Sequence, residues 1–280
     1  MGKNSSISWT HHTFNPWIGC AKVNDGCKFC YAEAIAEHYG HAVWGVNGTR
    51  HITSDQYWKQ PAKWNKRCEQ LGIRERVFCA SMADIFEDRN DLLEVRARLW
   101  SMIEQTPNLD WLILTKRTEI KDSFARMPGK WIKQISCVKN LWLGFSASYQ
   151  KYYDENNKNF NVFGSCHPAR ISFISFEPLL GNINIHKEHL PDWIIIGGES
   201  GPVSKVRKLN LYHVKHLIEQ IQALDIPCPP KIFFKQLGSV LAKAYKLQDR
   251  KGEDFNEYPA HLDWLKIREI PFYEPQTVTV

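Results

Sequence analysis

No apolar run in this 280-residue sequence is long enough to cross a bilayer, and the longest, such as Trp193-Ile194-Ile195-Ile196, are strand-sized. The opening Met1-Gly-Lys-Asn-Ser-Ser carries no apolar stretch, so no secretory signal is expected and the cytoplasm is the expected location. There is no internal repeat and no low-complexity linker. The expectation is therefore one domain over residues 1–273, with 274–280 as a flexible tail. Charge excess is small. Lys and Arg number 36 against 30 Asp and Glu, a net charge of +6, and the composition (43% hydrophobic, 24% charged) is ordinary for a globular chain. A disulfide framework is not expected either, because the eight cysteines are not spaced as one. Cys68, Cys79, Cys137, Cys166 and Cys228 stand apart and read as small structural thiols.

What is present is a recurring short apolar strand that ends in small, polar or charged residues. Ile7-Ser-Trp9 is the first candidate. Val77–Ala80 then runs into Ser81 and Asp84, Trp111–Leu114 into Lys116 and Arg117, and Leu141–Leu143 into Ser146. Ile171–Phe176 ends at Glu177-Pro178, Trp193–Ile196 at Gly197-Gly198-Glu199, and Lys231–Phe234 at Lys235. Helical periodicity lies between some of them: Asn90 is placed to cap Asp91–Gln105, and Leu211–Leu224 shows Val214, Leu217, Ile218 and Ile221 on one face. Apolar strands alternating with helices predict an α/β fold, a complete or nearly complete TIM-like (β/α) barrel of parallel strands. In such barrels the functional groups gather at the carboxyl ends of the strands. Two segments read as inserts: an aromatic, basic one over about 31–70, including His41, Trp44, Trp58 and Trp64, and an exposed polar loop over 149–168.

Three cysteines crowd into one short segment, Gly19-Cys20-Ala-Lys-Val-Asn-Asp-Gly26-Cys27-Lys-Phe29-Cys30. The C-x6-C-x2-C spacing sets three thiolates on one loop. Three ligands to a cubane cluster leave one iron open for a substrate or cofactor. Gly19 and Gly26 give the loop freedom to wrap a metal centre. Zinc is the alternative, because Cys27-x-x-Cys30 is a zinc half-site and Cys20 with His11 or His12 completes a Cys3His set. The residues alone leave both open.

The segment Cys27-Lys-Phe29-Cys30 resembles the second half of the C-x3-C-x-aromatic-C motif of radical-SAM (S-adenosylmethionine) enzymes, while the first gap is six residues instead of three. The longer gap resembles a phage and bacterial family of three-cysteine radical-SAM-like proteins. So do Thr13–Cys20, Ser81–Asp84, Leu112–Arg117, Phe176–Gly181, Trp193–Pro202 and Phe233–Gln236. After Leu141–Gly144 that family tends to carry an acidic residue where this chain has Ser148.

The resemblance implies a 4Fe–4S cluster on Cys20, Cys27 and Cys30, S-adenosyl-L-methionine as cofactor, and an electron donor for cluster reduction. It further implies Phe29 beside the adenine, and Ser81 with Asp84 near the methionine amino group, for which a helix cap is the alternative. Ser146 is assigned to the ribose. Gly197 and Gly198 are assigned to close approach of backbone to ligand, with Glu199 behind them. Glu177, Glu199 and Lys116 are candidate catalytic residues, Glu177 having the alternative of pairing with Lys116 or Arg117. Arg117 and Lys235 are candidates for a phosphate or carboxylate.

Between Val203 and Lys251 ten basic residues face only three acidic ones, a local excess of seven. Clustered cations favour a phosphate-bearing partner through counterion release. Together with the resemblance, this leads to a nucleic-acid base or nucleotide as expected substrate, with rearrangement of an amino-acid adduct on a DNA thymine, an isomerase or mutase reaction, as one instance. A zinc-stabilised nucleic-acid-binding protein and a radical-SAM enzyme acting on a peptide or small metabolite are the other readings.

Overall fold

The computed structural model describes residues 5, 7–40, 43–119, 127–128, 138–161 and 169–271. His41, Cys137, Cys166, residues 162–168 of the second insert and the tail at 274–280 lie outside the described residues.

Seven strands form one parallel sheet: β1 (His12–Phe14), β4 (Glu75–Cys79), β5 (Leu109–Thr115), β6 (Val138–Ser146), β7 (Ala169–Phe176), β8 (Trp193–Gly197) and β9 (Lys231–Gln236), in that spatial order. Among the described residues β1 and β9 do not pair, and the curled sheet is a partial TIM-like barrel, open between those two strands. A separate two-stranded ribbon pairs β2 (Trp17–Ile18) with β3 (His51–Ile52).

Alternation along the strands makes two apolar cores. Phe78, Leu112, Trp142, Phe173, Ile195 and Phe233 point to the concave side, where they meet Trp9. Their neighbours Val77, Ile113, Leu143, Ile174, Ile196 and Phe234 point outward into the larger core beneath the helices. Both faces are thus covered, as a parallel sheet requires. Trp193 lies among Trp9, Trp142 and Phe233, with ring centroids 5.8–6.0 Å away and planes near perpendicular. Edge-to-face contact suits the quadrupoles of these rings. The aromatic layer plugs the concave side and forms a floor under the carboxyl ends of the strands.

Ile7-Ser-Trp9 is not a strand. The chain turns there, with the Thr10 amide donating to the Ile7 carbonyl at 3.1 Å, and the first strand starts at His12. Trp9 instead supplies the plug. Helices form where the periodicity places them, but Asn90 is not a cap: it opens a short 3-10 turn at Asn90–Leu92 that leads into α4 (Leu93–Gln105), while α6 (Leu211–Gln222) buries Val214, Leu217, Ile218 and Ile221 behind an Asn210 cap. Further segments are helical too: α1 (Tyr31–His38), α2 (Asp55–Trp58) and α3 (Gln60–Leu71) in the first insert, and α7 (Ser239–Ala244) after β9. In that insert Trp58 and Trp64 are buried, so these rings serve packing. The expected exposed loop after residue 149 is instead α5 (Gln150–Asn161). Its Tyr153 and Phe160 pack on Phe145 of β6, with centroids 6.3 and 5.3 Å away. Spaced seven residues apart, the two rings fall on one helix face, and the polar residues around them hid that pattern in the sequence. Among the described residues no helix is long and apolar enough to cross a membrane.

Candidate functional site

One cleft opens at the carboxyl ends of the strands. It is lined by Cys20, Cys27, Phe29 and Cys30 of the cysteine loop and by the ends of five strands: Ser81 and Asp84 after β4, Lys116 and Arg117 after β5, Glu177 after β7, Gly198 and Glu199 after β8, and Lys235 with Gln236 on β9. Trp9 and Phe78 form its floor, and Tyr31 and Trp44 line its wall.

The cysteine loop is fixed by local bonds. Gly19 has φ +121°, and a Cβ there would press on the Val43 carbonyl oxygen, so only glycine fits. Asn24 accepts from the Gly26 amide at 3.0 Å and starts a 3-10 turn over Asp25–Cys27. A Cβ on Gly26 would stand 2.5 Å from the Ser148 hydroxyl. Ser148 is buried under the loop. Cys30 is the N-cap residue of α1. The nearby backbone amides of Glu33 and Ala32 favour its thiolate, although its side chain makes no cap hydrogen bond.

Burial pushes the Cys20 thiol up to about 12, with the Asp84 carboxylate adding to the effect and Arg117 opposing it. Burial also raises Cys30, against those two amides. A cation bound beside such sulfurs reverses the balance and takes the thiolate. Three thiols on one cleft wall, with buried Cys68 and Cys79 and exposed Cys228 elsewhere, match a three-thiolate donor set.

The histidines do not complete a Cys3His site. His12 pairs with Glu75 at 2.9 Å and stacks on Trp64, while His11 accepts from the Arg76 amide at 2.8 Å. Glu75 and Arg76 begin β4, so both imidazoles sit at the opposite end of the strands from the cleft. Among the described residues no three His, Cys, Asp or Glu side chains converge as the ligands of one ion do. A cubane asks for less convergence, because each thiolate binds its own iron.

The strand-end residues divide by what already holds them. Asp84 is saturated: it accepts from the Thr115 hydroxyl at 2.8 Å, the Phe86 and Lys116 amides at 3.0 and 3.2 Å, and Arg117 at 2.9 Å. It braces the rim from within and has no lone pair directed at a ligand. Arg117 reaches from Asp84 to Cys20 and the Ala21 carbonyl. Lys116 lines the cleft and has no ion-pair partner among the described residues. Ser81 bonds Asn15, whose side chain also takes the Met82 amide, and the Ser81 carbonyl accepts from Tyr31. Glu177 pairs with Lys235 at 3.1 Å, and not with Lys116 or Arg117.

Glu199 is held by Arg207, through its amide at 2.8 Å and its guanidinium at 2.5 Å. Ser146 is buried beneath the cleft and does not line it; its hydroxyl lies 3.4 Å from the Glu177 carbonyl. Gly197 does not line it either. A Cβ on Gly197 would stand 2.8 Å from the Glu177 carboxylate, and one on Gly198 would press on the Leu237 carbonyl, so this glycine pair makes room for protein.

Sequence reasoning passed over Asn15, Tyr31, Arg50, Glu87 and Arg207 as site residues. Asn15 stands in the sequence only as one residue of the Thr13–Cys20 segment, with no local pattern to single it out. Arg207 was one cation among ten. Those ten do not form one patch: Lys231 begins β9 at the far end, and Lys215 pairs with Glu219 on α6. Lys205, Lys208, Arg250 and Lys251 are exposed in two loops near the cleft's β8–β9 wall. The first loop follows Ser200, which lines the cleft, and the second bonds Gly238 through the Lys251 carbonyl.

Residues 4–261 match the profile of a family described as "Protein of unknown function (DUF5131)". No curated protein matches the sequence. Solved structures of spore photoproduct lyase show some likeness. A double mutant with bound AdoMet and dinucleoside spore photoproduct is 12% identical over 91% of this chain and 65% of that chain, with a TM-score of 0.46. A complex with dinucleoside spore photoproduct is 13% identical over 91% and 66%, with a TM-score of 0.44. This chain therefore spans less than two thirds of the length of the first of these structures.

Proposed function

The chain belongs to the DUF5131 family, and on that premise we propose that it is a radical-SAM enzyme whose substrate is a nucleic-acid base or nucleotide. The observation that carries this reading is the cleft itself: three thiols and the polar ends of five parallel strands face one space above an apolar floor. A structural metal knuckle needs no such surroundings.

In this reading Cys20, Cys27 and Cys30 hold a 4Fe–4S cluster and leave one iron open. A cluster held there would supply the one-electron chemistry by which S-adenosylmethionine is cleaved and a hydrogen atom is taken from the substrate. A low-potential one-electron donor is the partner this requires. Phe29 offers an aromatic face for adenine. Lys116, without an ion-pair partner among the described residues, presents an ammonium for a carboxylate or phosphate. Glu177 is the most exposed of the three carboxylates that line the cleft, and Lys235 keeps its charge compensated. Glu199 acts through Arg207, as a positioning residue. Trp9 and Phe78 keep water from the floor, where a radical must be protected.

Support for an anionic substrate comes from the exposed Lys205, Lys208, Arg250 and Lys251 beside the β8–β9 wall, set to gain from counterion release on a phosphate backbone. Rearrangement of an adduct on a thymine methyl group is the finer assignment, and it rests on the sequence resemblance.

The test is anaerobic purification, reconstitution with iron and sulfide, reduction, and assay for 5′-deoxyadenosine from S-adenosylmethionine, with and without DNA. The expected result is a brown protein that forms 5′-deoxyadenosine, faster with DNA than with nuclease-treated DNA. A colourless protein that holds one zinc and forms none overturns the proposal.

A further inference from the structure

Arg117 stands at the end of β5 with its side chain 15% exposed. Its Nη1 donates to the Cys20 sulfur at 3.6 Å and to Asp84 Oδ2 at 2.9 Å, and its Nη2 donates to the Ala21 carbonyl at 2.7 Å. Nη2 is also 3.8 Å from Glu87 Oε1. Glu87 in turn is clamped by Arg50, at 2.6 and 2.8 Å. Cys20 is therefore backed by two arginines and two carboxylates, whose formal charges cancel. The arrangement is directional nonetheless. The guanidinium donates to the sulfur through Nη1, the nitrogen that also binds Asp84, while neither carboxylate has a hydrogen to offer the sulfur.

The donor is locked in place. Asp84 is held by Thr115, Phe86 and Lys116 and so anchors Arg117, while the bond to Ala21 fixes the same guanidinium to the cysteine loop. Among the described residues Cys20 is the one ligand candidate of the three with a charged donor on its sulfur. Cys27 is 3.8 Å from the Asn24 side chain, and Cys30 lies beside backbone amides without a cap bond from its side chain.

We propose that Arg117 sets the reduction potential of a cluster held by Cys20, Cys27 and Cys30, through its charged hydrogen bond to the Cys20 sulfur. The inference rests on the iron–sulfur reading above and adds the residue that controls the electron's arrival. Reduction takes one electron from a low-potential one-electron donor, which is oxidised. No bond breaks, and no proton moves, because a guanidinium does not give up its proton. The added electron makes the ligand sulfurs more negative. A fixed cationic N–H donor then stabilises the reduced state more than the oxidised one and raises the potential. Shelter from water leaves that bond unscreened.

The experiment is a potentiometric titration, followed by electron paramagnetic resonance, of reconstituted wild type, Arg117→Gln and Arg117→Lys, with iron and sulfide counted in each. The expected result is a full cluster complement in Arg117→Gln whose reduction equilibrium is at least tenfold less favourable, about 59 mV lower for one electron. Arg117→Lys, which keeps the charge with fewer donors, is expected to fall between. A variant with full iron content that titrates at the wild-type potential overturns the proposal. Where Arg117→Gln takes up no cluster, Arg117→Lys decides by the same criterion. Loss of the cluster in both assigns Arg117 a purely structural role and also overturns it. A wild-type protein that takes up no iron and sulfide overturns the parent reading instead.

Discussion

The guanidinium of Arg207 lies 5.3 Å from the centre of the Phe29 ring, and the same side chain binds Glu199 at the end of β8 and the carbonyl of Asp25 in the cysteine loop. Among the described residues the sheet is open between β1 and β9, so no strand of the sheet pairs with β1 on the side towards the cysteine loop. Arg207 ties that loop to β8. Substitution by alanine leaves the buried Glu199 carboxylate without its partner. Hydrogen bonds to charged groups contribute about 1.5–3 kcal/mol each, and a cation over an aromatic face adds about 0.5–1 kcal/mol. Arg207 is partly solvated, which reduces the sum. Arg207→Ala is expected to cost about 2 kcal/mol, or roughly 4–8 °C in Tm for a chain of this size, with Arg207→Lys in between. An unchanged melting curve would show that the clasp holds nothing.

Gly19 tests the cysteine loop separately from the sheet. Its φ of +121° and the Val43 carbonyl beside it leave no place for a methyl group. Gly19→Ala must shift the backbone next to Cys20, while the seven strands keep their packing. The expected outcome is a folded protein, by far-ultraviolet circular dichroism, that retains less than half of the wild-type iron. Wild-type iron content in the variant would mean that the loop tolerates the shift.

Much of this arrangement was legible in the sequence, and the exceptions share a cause. Six of the seven expected strands exist because runs such as Trp193–Ile196 must be buried on both faces, and burial is written in composition. Ile7–Trp9 has the same composition but plugs the concave side. A strand and a plug both need apolar residues, and periodicity over three residues does not separate them. The polar rim was legible as a set of residues but not as partnerships. That Glu177 meets Lys235, or that Asp84 is used up on Arg117 and Thr115, depends on which strands are neighbours. Arg50, Glu87 and Arg207 act over separations that no local pattern encodes. Gly197 and Gly198 resembled a ligand-approach motif because the demand for a bare backbone is the same whether a ligand or Leu237 comes near.

His11 links stability to pH. Burial, aided by the nearby Arg76 charge, holds its imidazole below the ordinary value of 6.5, and the neutral ring accepts the Arg76 amide through Nδ1. As pH falls through 6.5 the unfolded chain takes up a proton that the folded one refuses. Stability then falls until the folded-state pKa is reached, and is recovered above 6.5. The urea midpoint of the wild type is expected to be lower at pH 5.5 than at pH 7.5. His11→Gln, which keeps an acceptor but does not titrate, should show a smaller difference. Equal differences in the two proteins would remove His11 as the cause.

The six described cysteines should separate into two classes under single substitution. Cys20, Cys27 and Cys30 face the cleft, so Cys→Ala at any one removes a cluster ligand and should abolish the brown colour and most of the iron. Cys79 is fully buried in the outer core, and burial alone raises its thiol far above the ordinary range. Cys68 is buried beside Glu75, where its thiol donates to the carboxylate at 3.4 Å. Cys228 is exposed in the loop before β9. Cys79→Ala and Cys68→Ala are expected to cost about 1 kcal/mol each by leaving small voids, with iron and sulfide content unchanged. Cys228→Ser is expected to change neither quantity. Iron loss in Cys68→Ala or Cys79→Ala without unfolding would place a ligand outside the loop and break the three-thiolate assignment.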